Sequence, residues 1–218
     1  MKIGIDGPAG SGKTTVARLI AKRLGISYLD TGATYRTLTL EALNKKIDLT
    51  DKIALGDLAS SLDLRIEEGK IYLRGEDVSE KIRTPLIDKN ISAIVSYPEV
   101  RKVMVGLQRK VTKEGDFVIE GRDITTVVFP DAEYKFYLDA DPKVRAKRRY
   151  KELKEKGLRV DFEETEKDLI RRDKADKNRK VSPLRISDDA VVIDTTRLTI
   201  EQTVDEVIKH IPSYQGQN

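Results

Sequence analysis

Lys2-Ile3-Gly4-Ile5-Asp6-Gly7-Pro8-Ala9-Gly10-Ser11-Gly12-Lys13-Thr14 is the stretch that decides the fold. Lys2 to Asp6 is a short β-prone run, and Gly7 to Thr14 matches G-x-x-x-x-G-K-[ST] at every fixed position. Behind it, Val16, Leu19, Ile20 and Leu24 recur at helical spacing, with Gly25 placed to end the helix. Strand, glycine loop and helix in that order are the context this motif needs. Glycines at 7, 10 and 12 let the backbone aim several N–H groups inward. The helix N-terminus adds partial positive charge. Lys13 is placed to reach β/γ-phosphates and Thr14 to offer its hydroxyl to Mg²⁺. Gly7, Pro8, Ala9, Gly10, Ser11, Gly12, Lys13, Thr14 and Thr15 are therefore expected to bind ATP or GTP; the alternative is a chance glycine turn.

Working outward, Ile26 to Leu29 reads as a second strand. Asp30-Thr31-Gly32 is placed to cap a helix through Tyr35, Leu38, Leu40 and Leu43. Leu64 to Glu68 and Lys70 to Arg74 flank Gly69 as a small antiparallel hairpin, continued by Asp77-Val78-Ser79. Two helices follow, one after Thr84-Pro85 and one from about Pro98. Further strands read at Phe117 to Ile119, ending in Glu120, at Glu133 to Leu138 and at Ala190 to Ile193. Helices run from Asp141-Pro142 to about Lys156, from Phe162 to Asn178 and from Ile200. The fold class expected is α/β: a P-loop NTPase-type core with a five-stranded parallel sheet, a small antiparallel β insertion and a helical lid, with the core strand order 2-3-1-4-5 expected of a core of that type. One domain is expected over residues 1–211, with an insertion at about 62–96, an arginine-rich lid at about 148–168 and a polar tail at 212–218.

Composition removes other classes. The chain has 218 residues, 39% hydrophobic and 36% charged, no cysteine and one histidine, His210. Disulfides, thiolate chemistry, a histidine cage and a Ser-His triad are excluded. No apolar run approaches the roughly 18 residues of a membrane span, and the N-terminal residues lack a signal-peptide pattern. A cytoplasmic location is the expectation. The net charge of +4 is a weak bias compared with a nucleic-acid binder, but basic residues concentrate between Lys143 and Arg185, which suits a local anion.

Two functional classes compete: a phosphotransferase on a small molecule and a nucleotide-binding switch. The switch motifs N-K-x-D and D-x-x-G are absent; Asn44-Lys45-Lys46-Ile47 lacks the aspartate. A phosphotransferase needs a second anionic pocket and a lid that excludes water. Arg145, Arg148 and Arg149 on one helix, and Arg171, Arg172 and Arg179 on or beside the next, are candidates for that lid. For each, the alternative is a solvated helix face.

Several motifs together resemble the bacterial cytidylate kinase family of nucleoside monophosphate kinases. They are GPAGSGKTT at 7–15, DTGATYR at 30–36, SYPEVR at 96–101, EGRDITTVVFPDA at 120–132, RRDKADKNR at 171–179, SPL at 182–184 and IDTT at 193–196. The resemblance spans roughly Met1 to Ile211. It implies ATP·Mg²⁺ as donor and CMP or dCMP as acceptor. It places Ser92, Arg101 and Asp123 at the cytosine, where a carboxylate accepts from the exocyclic amine and uracil would set a carbonyl against it. It places Thr31 at the acceptor site too, where the family often has serine. Arg36 and Arg122 fall at the acceptor phosphate, and Arg172, Asp176 and Arg179 at sugar and phosphate. Ile124-Thr125-Thr126 departs from the family's usual glycine after the isoleucine, which puts that loop's geometry in question. Lys13, Arg122, Arg148 and Arg149 are expected to carry transition-state charge. Glu120 is a candidate to order Mg²⁺ through water beside Thr14, with Asp30 a second, and helix capping or ion pairing the alternative for both. A UMP or dTMP kinase on the same scaffold is the competing acceptor reading. A monomer with no nucleic-acid or membrane partner is expected.

Overall fold

The computed structural model describes residues 1–67 and 69–212, so Glu68 of the expected hairpin and positions 213–218 of the expected tail lie outside the described residues. The central sheet has five strands: β1 (Lys2–Asp6), β2 (Ser27–Asp30), β6 (Phe117–Gly121), β7 (Tyr134–Asp139) and β8 (Val191–Asp194). Their order is β2-β6-β1-β7-β8, the expected 2-3-1-4-5 in core numbering. β1 and β7 run parallel, with Ile3 opposite Tyr134 and Asp6 opposite Tyr137; β7 and β8 run parallel with Phe136 opposite Val191. Ile3, Ile5, Val118, Ile119 and Leu138 are fully buried. That is why these runs are apolar without alternation: helices cover both faces of a parallel sheet.

The chain forms two compact units, Met1–Ile26 with the chain from Val118 onward, and Ser27–Phe117. In the first, α1 (Lys13–Leu24) buries Val16, Ala17, Ile20 and Ala21 and stops at Gly25 in the left-handed region. It packs on α8 (Ile200–Lys209), whose N-terminus is a capping box between Thr199 and Gln202 and whose Val204 and Val207 face inward. α6 (Pro142–Glu155) and α7 (Phe162–Asn178) pack on each other, with Tyr150 meeting Phe162 edge to face at 5.8 Å. Asp141 and Asp161 cap their N-termini.

The second unit holds α2 (Thr31–Asn44), α3 (Lys52–Ser60), a three-stranded antiparallel sheet of β3 (Leu64–Glu67), β4 (Lys70–Leu73) and β5 (Glu76–Asp77), α4 (Pro85–Ile94) and α5 (Pro98–Val111). Leu38, Leu55, Ile82, Ile94, Val100 and Met104 form its dry centre. Prolines open α4 and α5 at a position where a missing N–H costs nothing. α3 is an element the sequence reading did not anticipate; Asp51 caps it, accepting from the Ile53 and Ala54 amides. β3–β5 and α4 occupy the stretch expected as an insertion.

Candidate active site

The phosphate loop joins β1 to α1, and two of its glycines are required by close approach. At Gly7 (φ 156°) a Cβ would stand 2.2 Å from the Leu138 carbonyl oxygen; at Gly10 (φ 74°) it would stand 2.8 Å from that of Arg145. The loop's own carbonyls are held both from within the motif and from distant residues. Lys13 Nζ donates to the Pro8 oxygen (3.1 Å), Arg145 Nη1 to that of Ala9 (3.1 Å), Thr195 Oγ1 to that of Ser11 (3.1 Å) and the Val16 amide to that of Gly12 (3.0 Å). A peptide plane whose carbonyl is fixed on one side presents its N–H on the other, which is how such a loop receives an anion. Ser11 Oγ is buried in the loop with no hydrogen-bond partner, a polar atom suited to a polar ligand.

Thr14 and Glu120 come together. Thr14 Oγ1 donates to Glu120 Oε1 at 2.7 Å, and Glu120 is buried at the end of β6. Two hard oxygen donors at the mouth of a phosphate loop fit Mg²⁺, which takes few protein ligands and completes its shell with water and phosphate oxygens. No group of three or more His, Cys, Asp or Glu side chains able to hold a metal occurs among the described residues. Asp30 instead caps α2, accepting from the Ala33 amide (3.0 Å), and pairs with Arg83 (3.1 Å).

The arginines separate into distinct roles. Arg145 is buried: besides Ala9 it donates through Nε to the Ala140 carbonyl (2.9 Å) and pairs with Asp173 of α7. Arg148 grips Thr195 twice, at the hydroxyl (3.0 Å) and the carbonyl (2.6 Å), and burial lowers its pKa. Arg149 pairs with Glu152 one turn on (2.8 Å), while Arg171 is exposed beside Asp168. Arg122 donates to Asp176 at 2.8 Å, and Arg179 stands 3.9 Å from the same carboxylate. Burial works against charge at both Arg122 and Asp176. Their mutual attraction outweighs it, raising the Arg122 pKa and, with Arg179 helping, lowering that of Asp176. Arg172 is half-buried on α7, and Asp123 is buried directly after β6.

In the second unit, Thr31 is buried at the first turn of α2. Arg36, five residues on, donates to the Ile82 carbonyl (3.2 Å) and pairs with Asp88 of α4. Ser92 is exposed on α4. Arg101 is buried on α5, with its guanidinium 5.5 Å from the centre of the Tyr35 ring.

Two residues of the first unit escaped the sequence reading. Thr195 lies within the quoted IDTT stretch, but nothing local marks it as the link between Arg148 and the loop. Asp6 is the last residue of β1. Its carboxylate is fully buried and accepts from the Ile124 and Thr125 amides (2.8 Å each) and from the Thr125 hydroxyl (2.7 Å). The available signal was an acidic residue closing an apolar strand.

A model of the cytidylate kinase family matches residues 3–213. The cytidylate kinase of Caldanaerobacter subterraneus subsp. tengcongensis is 47% identical over 97% of this chain and 94% of its own length. That of Clostridium tetani is 46% identical over 97% and 93%. Among solved structures, an uncharacterized protein from Eubacterium ventriosum (TM-score 0.51, 16% identity, 98% of this chain and 99% of that one) shares the fold. So does shikimate kinase from Bacteroides thetaiotaomicron (TM-score 0.50, 14% identity, 97% and 98%).

Proposed function

We propose that this chain, which belongs to the cytidylate kinase family, transfers the γ-phosphoryl group of ATP to CMP, giving ADP and CDP, and that it accepts dCMP in the same way. The observation that carries the reading is near-full-length identity of 47% to a cytidylate kinase in a chain whose phosphate loop is intact. A phosphate oxygen of the acceptor attacks the γ-phosphorus in line as the bond to the ADP oxygen breaks, with no covalent enzyme intermediate. The acceptor phosphate is already largely ionised at neutral pH, so positioning and charge stabilisation carry the rate rather than a strong base.

Residues 7–15 cradle the donor phosphates, and Lys13, Arg122, Arg148 and Arg149 answer the charge that develops on them. Thr14 directly and Glu120 through water would hold Mg²⁺, which when bound neutralises phosphate charge. Asp123 reads the cytosine amine, and Ser92 and Arg101 are assigned to the same base. Thr31, Arg36, Arg172, Asp176 and Arg179 are assigned to the rest of the acceptor, together with Arg122. The Arg122–Asp176 pair supports this assignment, because at 2.8 Å it fixes the guanidinium in place. Residues 62–96 act as the acceptor-binding insertion and 148–168 as the lid of a single kinase domain. No helix among the described residues is long and apolar enough to cross a membrane, and we place the enzyme in the cytoplasm as a monomer acting on free nucleotides.

ADP release measured with CMP, dCMP, UMP, AMP and dTMP tests the reading. CMP and dCMP should be turned over; turnover of UMP or dTMP in their place would overturn it. Glu120→Gln should raise the Mg²⁺ concentration needed for half-maximal rate, and an unchanged Mg²⁺ dependence removes Glu120 from the metal site.

A further inference from the structure

The loop after Asp123 is β-branched from Ile124 to Val128, and the structure shows how that run is held. Residues 124–128 form a single wide helical turn: Val128 N donates to Asp123 O (3.0 Å) and Phe129 N to Ile124 O (2.7 Å), each spanning five residues. The first amides of any such turn lack partners within it. Here the Asp6 carboxylate, from a strand 118 positions away, takes the amides of Ile124 and Thr125 on separate oxygens. The Thr125 hydroxyl adds a third bond to Oδ2, one that a glycine could not make. β1 also supplies the room. A Cβ on Gly4 would stand 2.9 Å from Thr125 Cγ2 and 3.2 Å from Ile124 Cγ2. Gly4 and Asp6 are two apart on one strand and so face the same side; one makes space for the β-branched pair and the other binds it.

We propose that Asp6 is a positioning residue for acceptor recognition: its ionised carboxylate caps the 124–128 turn and thereby fixes Asp123 and Arg122 at its entry, and the Thr125 hydroxyl supplies the side-chain donor that secures this arrangement. The inference rests on the assignment of Asp123 to the cytosine. The balance of influences on Asp6 sets the pH at which the capping form is lost. Burial, the largest influence, pushes the Asp6 pKa up to about 6; the three donors pull it down, and Asp123 raises it further. The groups that face it are Asp123 and, from β7, Tyr137, whose phenol is held at about 12, first by burial and then by Asp139 and Asp6. An asparagine would be cheaper to bury, but its amide would set N–H against one of the N–H or O–H donors.

The test compares wild type, Thr125→Ala, Thr125→Ser and Asp6→Asn in steady-state kinetics with ATP and CMP from about pH 5 to about pH 8. Losing one hydrogen bond to a charged group should move the acid limb of kcat/KM for CMP upward by about one pH unit in Thr125→Ala. KM for CMP should rise about tenfold with KM for ATP within about twofold. Thr125→Ser should restore both values. The phosphate of CMP itself titrates near pH ~6 in every variant, so the displacement between variants is the readout. Asp6→Asn should raise KM for CMP and abolish the displacement; should it fail to fold, the two Thr125 variants decide. Coincident acid limbs, or KM values for ATP and CMP that rise together, overturn the inference. A wild-type enzyme inert toward CMP at every pH overturns the functional reading, and this one with it.

Discussion

Arg145→Met removes the charge and donors of the most heavily tied side chain beside the phosphate loop while keeping an unbranched stem. Arg145 and Asp173 are 6% and 13% exposed at their side chains, so water does little to screen the charge left behind. Removing one partner of such a buried pair costs about 3–5 kcal/mol. For a protein of this size that is a fall in Tm of roughly 6–20 °C. The Ala9 and Ala140 carbonyls lose their donor as well, and release of the Ala9 peptide plane should raise KM for ATP. Thermal unfolding and ADP-release kinetics are run on Arg145→Met and on Arg145→Met/Asp173→Leu. The double variant removes the stranded carboxylate and should regain most of the lost stability, yet keep the raised KM for ATP, because the Ala9 oxygen is still unheld. A single variant that melts within about 3 °C of wild type would refute the buried-pair reasoning. A double variant with wild-type KM for ATP would refute the link to the loop.

Lys13→Ala should lower kcat by about 10²-fold or more with little change in Tm, since its ammonium is assigned to charge that develops during transfer; loss of folding in place of loss of rate would contradict this. Asp123→Ala should raise KM for CMP well above any change in KM for ATP, and equal changes would count against base reading. Asp6 also makes a pH prediction for stability. Its folded pKa of about 6 lies above its unperturbed 3.8, so the folded state holds the proton more tightly. The stabilisation this gives is complete below about pH 4 and is lost by about pH 6, up to roughly 3 kcal/mol. Unfolding free energies of wild type minus those of Asp6→Asn should therefore fall across that window, and a flat difference would disprove the shift.

The core strands and the phosphate loop were legible because local sequence dictates them. The apolar runs of β1, β6 and β7 sit between turn signals, and Gly7, Gly10 and Gly12 have few other uses at that spacing. Caps were legible for the same reason: Asp30 and Gly25 act within a few residues of themselves. The turn at 124–128 was not, because Ile124-Thr125-Thr126-Val127-Val128 is β-branched throughout and its amides are satisfied by a carboxylate far away in sequence. α3 escaped because it is short and leaves Ile53 exposed, which blurs its stripe. Among the arginines, helical spacing grouped Arg145, Arg148 and Arg149. Periodicity cannot separate a side chain buried against Asp173, a neighbour reached only through the fold, from one half-buried beside Glu152 a turn away on the same helix.

The anchoring of the loop carbonyls from α1, α6 and the segment after β8 has a thermodynamic consequence. On the proposed assignment of this loop to the donor phosphates, a triphosphate docks into a mould that is already cast, so the ordering cost of donor capture falls on the nucleotide rather than on the chain. Loosening the Arg145 or the Thr195 anchor would shift that cost to the protein, and calorimetry would register it as a more unfavourable binding entropy even with residues 7–15 intact.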